Sequence, residues 1–201
     1  HTNWSDGHHT LEAAAEAGLK RGYQYLAICD HSKSLKVAGG LTERELKDQM
    51  AKITALNKRF RRFQLLMGAE VDILNDGTMD YPNELLSRLD FVIGSIHSGF
   101  KQEEATLTHR MVKAVRNPYV TMIAHPTGRL LGQREPYAVN LDAVFAAARQ
   151  SHTAMEINAY PKRIDLNDVA ARRARERPVM LAISTDTHTL DQLENITIGV
   201  G

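Results

Sequence analysis

Six short, mainly apolar runs punctuate the chain, at 23–29, 65–69, 91–96, 119–124, 153–157 and 179–183. Mainly apolar runs, rather than strict alternation, suit parallel strands covered on both faces. Between them lie segments with helical periodicity. Thr10 is placed to cap a helix over 11–21 that Gly22 closes, and Thr42 with Glu45 forms a capping-box pattern opening a long amphipathic helix to about residue 60. Further helices are predicted at 82–89, at 103–115 before Asn117-Pro118, at 141–150 and at 167–177. Pro178 then resets the chain into the last strand.

The residues at the end of each run matter more than the runs themselves. The first run delivers Asp30-His31, and the others end on Glu70, His97, His125, Asn158 and Asp186, with His188 two residues further on. Residues two apart on a strand share a face, so Asp186 and His188 are expected to project together. Successive strand ends are spaced by roughly one βα unit, about 30 residues. Strand and helix alternate from end to end with no linker, low-complexity segment or tandem repeat, which predicts one α/β domain over residues 1–201. In a closed βα barrel the chemistry gathers at the C-terminal ends of the strands. Polar groups from nearly every strand favour that barrel over an open doubly wound sheet, whose site would collect at one switch point.

Composition narrows the functional classes. A net charge of +1 argues against a non-specific nucleic-acid coat, although it leaves room for local basic patches. No apolar run is long enough to span a membrane. The chain opens His1-Thr2-Asn3-Trp4, without a start Met or a signal peptide, and is expected to be a domain of a longer polypeptide. The single cysteine, Cys29, excludes an internal disulfide, fits a reducing, cytoplasmic setting and is expected as a core thiol.

Nine histidines are the unusual feature. Those at strand ends combine with nearby acids into a pool of His1, Asp6, His31, Glu70, His97, His125, Asp186 and His188. Eight N/O donors are too many for one tetrahedral zinc and suit a cluster of two or three ions. Imidazole and carboxylate donors without thiolate accommodate Zn, Mn or Fe. Such a cluster acidifies a water and stabilises in-line displacement at phosphorus. Arg129, Lys162 and Arg163, on two neighbouring βα loops, are placed to grip phosphate oxygens. Asp72 shares a strand face with Glu70, but Glu70 directly ends the apolar run and is preferred as ligand. Asp30 is read as capping or orienting His31. His8, His9, His109 and His152 are expected at the surface, His8 or His9 within reach of a substrate, and the Arg172-Arg173-Arg175 helix as a solvated outer face.

The segments His1-Thr2-Asn3-Trp4-Ser5-Asp6-Gly7, Cys29-Asp30-His31-Ser32, Gly68-Ala69-Glu70, Ser95-Ile96-His97-Ser98 and Asp186-Thr187-His188 resemble the polymerase and histidinol phosphatase (PHP) domain. Ala124-His125-Pro126-Thr127-Gly128-Arg129 and Glu156-Ile157-Asn158-Ala159-Tyr160-Pro161-Lys162-Arg163 are similar, more specifically, to the PHP domain at the C-terminus of bacterial family X DNA polymerases. The resemblance implies a distorted (β/α)7 barrel with three metals. Because that family opens with H-x-H on its first strand and His1 matches the second of these histidines, the first strand is expected to be missing from this sequence. By resemblance, His1, Glu70 and Asp186 bind one ion, Glu70 bridges to a second held by His97 and His125, and Asp6, His31 and His188 hold the third. The implied activity is a Mn2+- or Zn2+-dependent 3′-to-5′ exonuclease on single-stranded or gapped DNA, with AP-site and 3′-phosphoesterase activities, beside a polymerase domain. Glu70, Asp186 and Arg129 are the expected catalytic residues, and Arg129, Asn158, Lys162 and Arg163 the substrate contacts. The alternatives are a phosphomonoesterase of the histidinol-phosphatase type and a metal-binding structural module.

Overall fold

The structure, a computed structural model, describes residues 1–200. In chain order its elements are α1 (Leu11–Lys20), β1 (Tyr25–Ile28), α2 (Glu43–Asn57), β2 (Gln64–Asp72), α3 (Asn83–Leu86), β3 (Phe91–Ser95), α4 (Glu104–Val115), β4 (Met122–Ile123), α5 (Leu141–Ser151), β5 (Ala154–Asn158), α6 (Asp168–Glu176), β6 (Leu181–Ser184) and α7 (Ile196–Val200). Local sequence sets these boundaries. The Thr10 side chain accepts from the Ala13 amide, Asn167 caps α6 in the same way, and Thr42 with Glu45 closes the reciprocal capping box ahead of α2.

The six strands form one parallel sheet in the order β1-β2-β3-β4-β5-β6. Sequential order is what successive βα units on a curling sheet produce, and it brings every strand's C-terminal end to one rim. The longest strand, β2, changes partner midway: Gln64–Met67 pair with β1 and Gly68–Asp72 with β3. Gly68 sits at the changeover, where a Cβ would lie 2.6 Å from Cys29 Sγ and 2.8 Å from the Ile28 carbonyl oxygen. Only glycine fits a backbone approached that closely.

The expected seventh strand is not among the described residues. The sheet is a half-barrel with β1 and β6 as its free edges. Between them a largely apolar cavity of about 590 Å³, lined among others by Tyr25, Leu26, Ile28, Phe91 and Ile183, reaches up to His1, Glu70 and His125. The run at 119–124 yields only a two-residue strand, because its ladder partners are the short stretches Ile93–Gly94 and Ala154–Met155. Beyond His188 the sequence pattern predicts nothing regular. The chain there forms a 3-10 turn (Leu190–Asn195) and α7, and Arg21 and Tyr23 donate to the Leu190 and Leu193 carbonyls.

The main core joins α2, α4 and α5 to the sheet through Leu46, Met50, Val71, Leu107, Met111 and Phe145, and Cys29 lies buried against Ile93 and Met122. Burial pushes the Cys29 thiol well above its ordinary range, with the Glu70 charge adding to the shift, so it is an inert core thiol as expected. One buried group is unforeseen. Arg110 on α4 is 1 % exposed, and its guanidinium donates to the carbonyls of Ile73, Leu74 and Ser98 and to Gln102. It ties together the chain leaving β2 and the chain leaving His97.

Arg110→Leu leaves the buried Ile73 carbonyl without its donor, whereas the Leu74 carbonyl keeps the Gly77 amide, and an orphaned buried polar group costs roughly 1–3 kcal/mol. Chemical denaturation is expected to show a loss of about 1–3 kcal/mol, and a midpoint unchanged from wild type would contradict this account of Arg110.

Candidate metal centre

Glu70, near the end of β2, is the hub. Its Oε2 lies 3.2 Å from His1 Nε2 and 3.4 Å from His31 Nδ1, and its Oε1 lies 3.4 Å from His97 Nε2 and 3.0 Å from His125 Nε2. Four imidazoles from four parts of the chain thus converge on one carboxylate, two on each oxygen. Asp186 Oδ1 reaches His1 Nε2 at 3.2 Å. The half-buried Asp6 reaches His188 Nε2 at 3.3 Å and His31 Nε2 at 3.6 Å. The His1 ring stacks between His31 and His188 at 4.3 and 4.2 Å. Donor atoms within 4.8 Å of one another form three groups: His1, Asp6, His31 and His188; His31, Glu70 and His97; and His1, Glu70 and Asp186. His125 joins through Glu70.

A second layer holds these side chains. The Asp72 carboxylate meets His97 Nδ1 at 2.6 Å, which fixes the ring and turns Nε2 toward Glu70. Asp72 is therefore His97's partner, with Glu70 at the centre of the cluster. Glu156 is a buried carboxyl that sequence reasoning missed. It accepts from the His125 backbone amide, from Asn158 Nδ2 at 3.2 Å and from the Ser184 hydroxyl. The available signal was its place two residues before Asn158, on the same strand face. Two donor residues, His125 (φ 28°) and Asp186 (φ 48°), have left-handed backbones, a strained state for residues with side chains that recurs at functional sites.

The electrostatics follow from crowding. Burial works against the Glu70 carboxylate, yet the His31 charge and the bonds to His1, His125 and His97 hold it well below its usual range. Burial also opposes the Asp186 charge, and His1 outweighs it, so that carboxyl too is depressed. Burial works against the His97 charge, but Asp72 and Glu70 carry its imidazole up to about 9. Burial takes His31 down to about 4, against the pull of the Glu70 charge. Glu156 is pushed up to about 8 by burial and then by the Asp186 charge.

This donor set fits divalent cations. Nδ1 of His1, His31 and His125 is buried with no hydrogen-bond partner, a costly arrangement for a structural histidine and an ordinary one for an imidazole that ligates. All eight pool members meet here. Of the remaining histidines, His8, His109 and His152 are exposed and His9 is partly so, as expected.

Three expectations need correction. Asp30 does not orient His31 through its side chain. Its buried carboxylate accepts from the Thr2 amide and hydroxyl, from the Ser5 hydroxyl and from Gln49 Nε2, each at 2.6 Å, and so fixes the opening loop. Asn158 is fully buried, and its Nδ2 donates to the Glu156 and Asp186 carboxylates rather than facing a substrate. Arg129 commits Nε to the Arg163 carbonyl at 2.7 Å and Nη2 to the Ile164 carbonyl, so it braces the 160–165 loop. Lys162 is exposed. Arg163 donates Nε to Asp186 Oδ2 at 3.0 Å, and its Nη1 is buried without an acceptor.

The PHP domain family model matches residues 1–160. The chain belongs to the PHP domain family. Across its whole length it is 47 % identical to the DNA polymerase/3′-5′ exonuclease PolX of Bacillus subtilis, spanning 35 % of that protein. Over 92 % of the chain it is 27 % identical to a protein of Thermoanaerobacter sp. (strain X514) named a probable phosphatase, covering 75 % of that relative. The half-barrel is the PHP architecture. It superposes with a TM-score of 0.73 and 13 % identity on a Listeria monocytogenes structure described as a histidinol phosphatase, covering 93 % of this chain and 92 % of that one. A histidinol phosphate phosphatase from Lactococcus lactis, solved with zinc, L-histidinol and phosphate, covers the whole chain with a TM-score of 0.67. That PHP-fold relative holds zinc, the metal class the imidazole and carboxylate donors of this chain suit.

Proposed function

We propose that this PHP domain is a metal-dependent phosphodiesterase that trims DNA from its 3′ end, the exonuclease module of a protein that also carries a polymerase domain. The observation that carries the reading is the contrast in identity: 47 % over the whole chain with a polymerase/3′-5′ exonuclease, against 27 % with a probable phosphatase. The metals are two or three Mn2+ or Zn2+ ions. The groupings support His1, Glu70 and Asp186 around one, Glu70 with His97, His31 or His125 around another, and Asp6, His31 and His188 around a third. Ions held in these places would neutralise phosphate charge and acidify a water.

The chain's own residues do the rest. Glu70 offers each oxygen to a different pair of imidazoles, the arrangement a bridging carboxylate needs. Asp72 keeps the His97 tautomer fixed, and Asn158 with Glu156 keeps Asp186 and the His125 backbone in place. Arg163, anchored on Asp186 through Nε, retains Nη1 as a free donor for a phosphate oxygen of the bond to be cut. Lys162, one residue earlier and in solvent, suits the next phosphate along the strand.

The test separates diester from monoester chemistry. Mn-loaded protein is expected to shorten a 5′-labelled oligonucleotide stepwise from its 3′ end and to turn over histidinol phosphate far more slowly. The reverse ranking would establish the phosphomonoesterase reading, toward which the probable phosphatase relative points. Lys162→Glu is expected to weaken oligonucleotide binding and reduce the salt slope by roughly 0.7, one single-strand phosphate contact. An unchanged slope would remove Lys162 from the strand's path. Arg163→Glu is a poorer probe, since it would set a second carboxylate against Asp186.

A further inference from the structure

The loop that leaves β1, from Ser32 to Gly40, is unusually well tied down for a rim loop. Ser32 N donates to the Glu70 carbonyl and its hydroxyl accepts from the Asp72 amide at 2.9 Å. Ser34 donates its amide to Asp80 and its hydroxyl to Asp72 Oδ2, both at 2.7 Å. Leu41 N returns to the His31 carbonyl at 2.8 Å, closing the loop at its base. Gly40 packs so tightly that a Cβ would stand 1.9 Å from the Ser32 oxygen, and Gly39 ends a 3-10 turn (Lys36–Ala38) in the left-handed conformation. A loop with these anchors holds one shape.

Its apex nonetheless presents Val37 at 93 % exposure, more than any other large apolar residue described. Several of the others border the open seam of the half-barrel, as Tyr25 and Ile183 do. Val37 instead stands on the rim that carries the metal donors, six residues past His31. The loop beneath it bonds to Asp72, which holds His97. Lys36 beside it is exposed and has no acidic partner among the described residues. Holding an isopropyl group in water on a rigid support gains nothing for folding. A single such group is far too small for a protein interface, which needs on the order of 1,000 Å². It does match one face of one nucleobase, with a cation alongside for the phosphate.

We propose that this apex is a fixed wedge for the DNA end: Val37 packs against the terminal 3′ nucleobase and Lys36 pairs with an adjacent backbone phosphate. The wedge orients the last nucleotide so that its 3′ diester enters the centre, and it makes Val37 a determinant of polynucleotide over small-ester substrates. The inference rests on the 3′-end reading, and the experiment keeps the two apart.

The probe is an oligonucleotide with 2-aminopurine as its 3′ base and a phosphorothioate as its last linkage, titrated into the metal-loaded protein. Base packing on Val37 is expected to change the 2-aminopurine emission on binding. Val37→Asn should abolish that change and raise the KM for an unmodified oligonucleotide about tenfold, the ratio that roughly 1.4 kcal/mol corresponds to. Val37→Leu should keep both near wild type. Metal content and hydrolysis of bis(p-nitrophenyl) phosphate should stay unchanged in both variants, since the side chain lies outside the donor set. Lys36→Ala should raise KM and lower the salt slope while keeping the emission change. Wild-type KM and emission in Val37→Asn would overturn the wedge alone. A parallel fall on the small diester would also overturn it, by making Val37 a support of the centre. A wild-type protein that binds no oligonucleotide yet cleaves small monoesters would overturn the 3′-end reading and the wedge with it.

Discussion

Glu70→Gln is expected to abolish phosphodiester hydrolysis and to strip metal from the protein. The amide keeps the shape of the side chain but removes the charge at the point where His1, His31, His97 and His125 converge. Loss of an outer partner of a ligand already costs 10- to 100-fold in metal affinity or activity, and removal of the hub should cost well over about 100-fold. One NH2 would also face two imidazoles that now meet an acceptor. The check is elemental analysis after Mn or Zn loading, with diesterase rates at saturating metal. A variant retaining the full complement of ions and a near wild-type rate would show that Glu70 is a bystander.

Asp30→Ala is expected to be the most destabilising change near the site. The carboxylate takes four hydrogen bonds, from Thr2, Ser5 and Gln49, in a position 1 % exposed. Removing it orphans buried donors, a mechanism that costs about 3–5 kcal/mol for a buried charged group. For a chain of this size that is a fall in Tm of roughly 10 °C or more. The same change frees the loop that carries His1 and Asp6, so metal affinity should fall with stability. Thermal unfolding with and without Mn reads both effects. A fall in Tm of only a degree or two would mean that water replaces the network and that the opening loop is held by other contacts.

How much of the fold and site was legible in the sequence depends on which interactions are local. The strand ends were readable because a buried parallel strand is an apolar run, and the residue that terminates it lands on the rim; that logic placed Glu70, His97, His125 and Asp186 before any geometry. Helix starts were readable because capping is a contact over three residues, as at Thr10 and Thr42. Long-range polar pairing was not. Glu156 reads as a polar interruption of a strand, and only the fold brings the His125 amide and Ser184 to it. Asn158 looked like a substrate contact because it ends a strand, and Arg129 because it lies on a loop at the rim. Their side chains are instead committed to carboxylates and carbonyls inside the rim, and spacing carries no information on that choice. Arg110 was invisible for a similar reason: a lone Arg in an amphipathic helix reads as solvated until two loops are seen to close over it. Asp30 pointed the right way, to a supporting role, and to the wrong neighbour.

The central claim is that the side chains around Glu70 hold a cluster of divalent ions. Crystals of the Mn-loaded protein measured at the manganese absorption edge test it most directly. Two or three anomalous peaks per chain are predicted, each within coordination distance of at least three of His1, Asp6, His31, Glu70, His97, His125, Asp186 and His188, and two of them sharing Glu70. A single peak, none, or peaks bound by residues outside that set would contradict it.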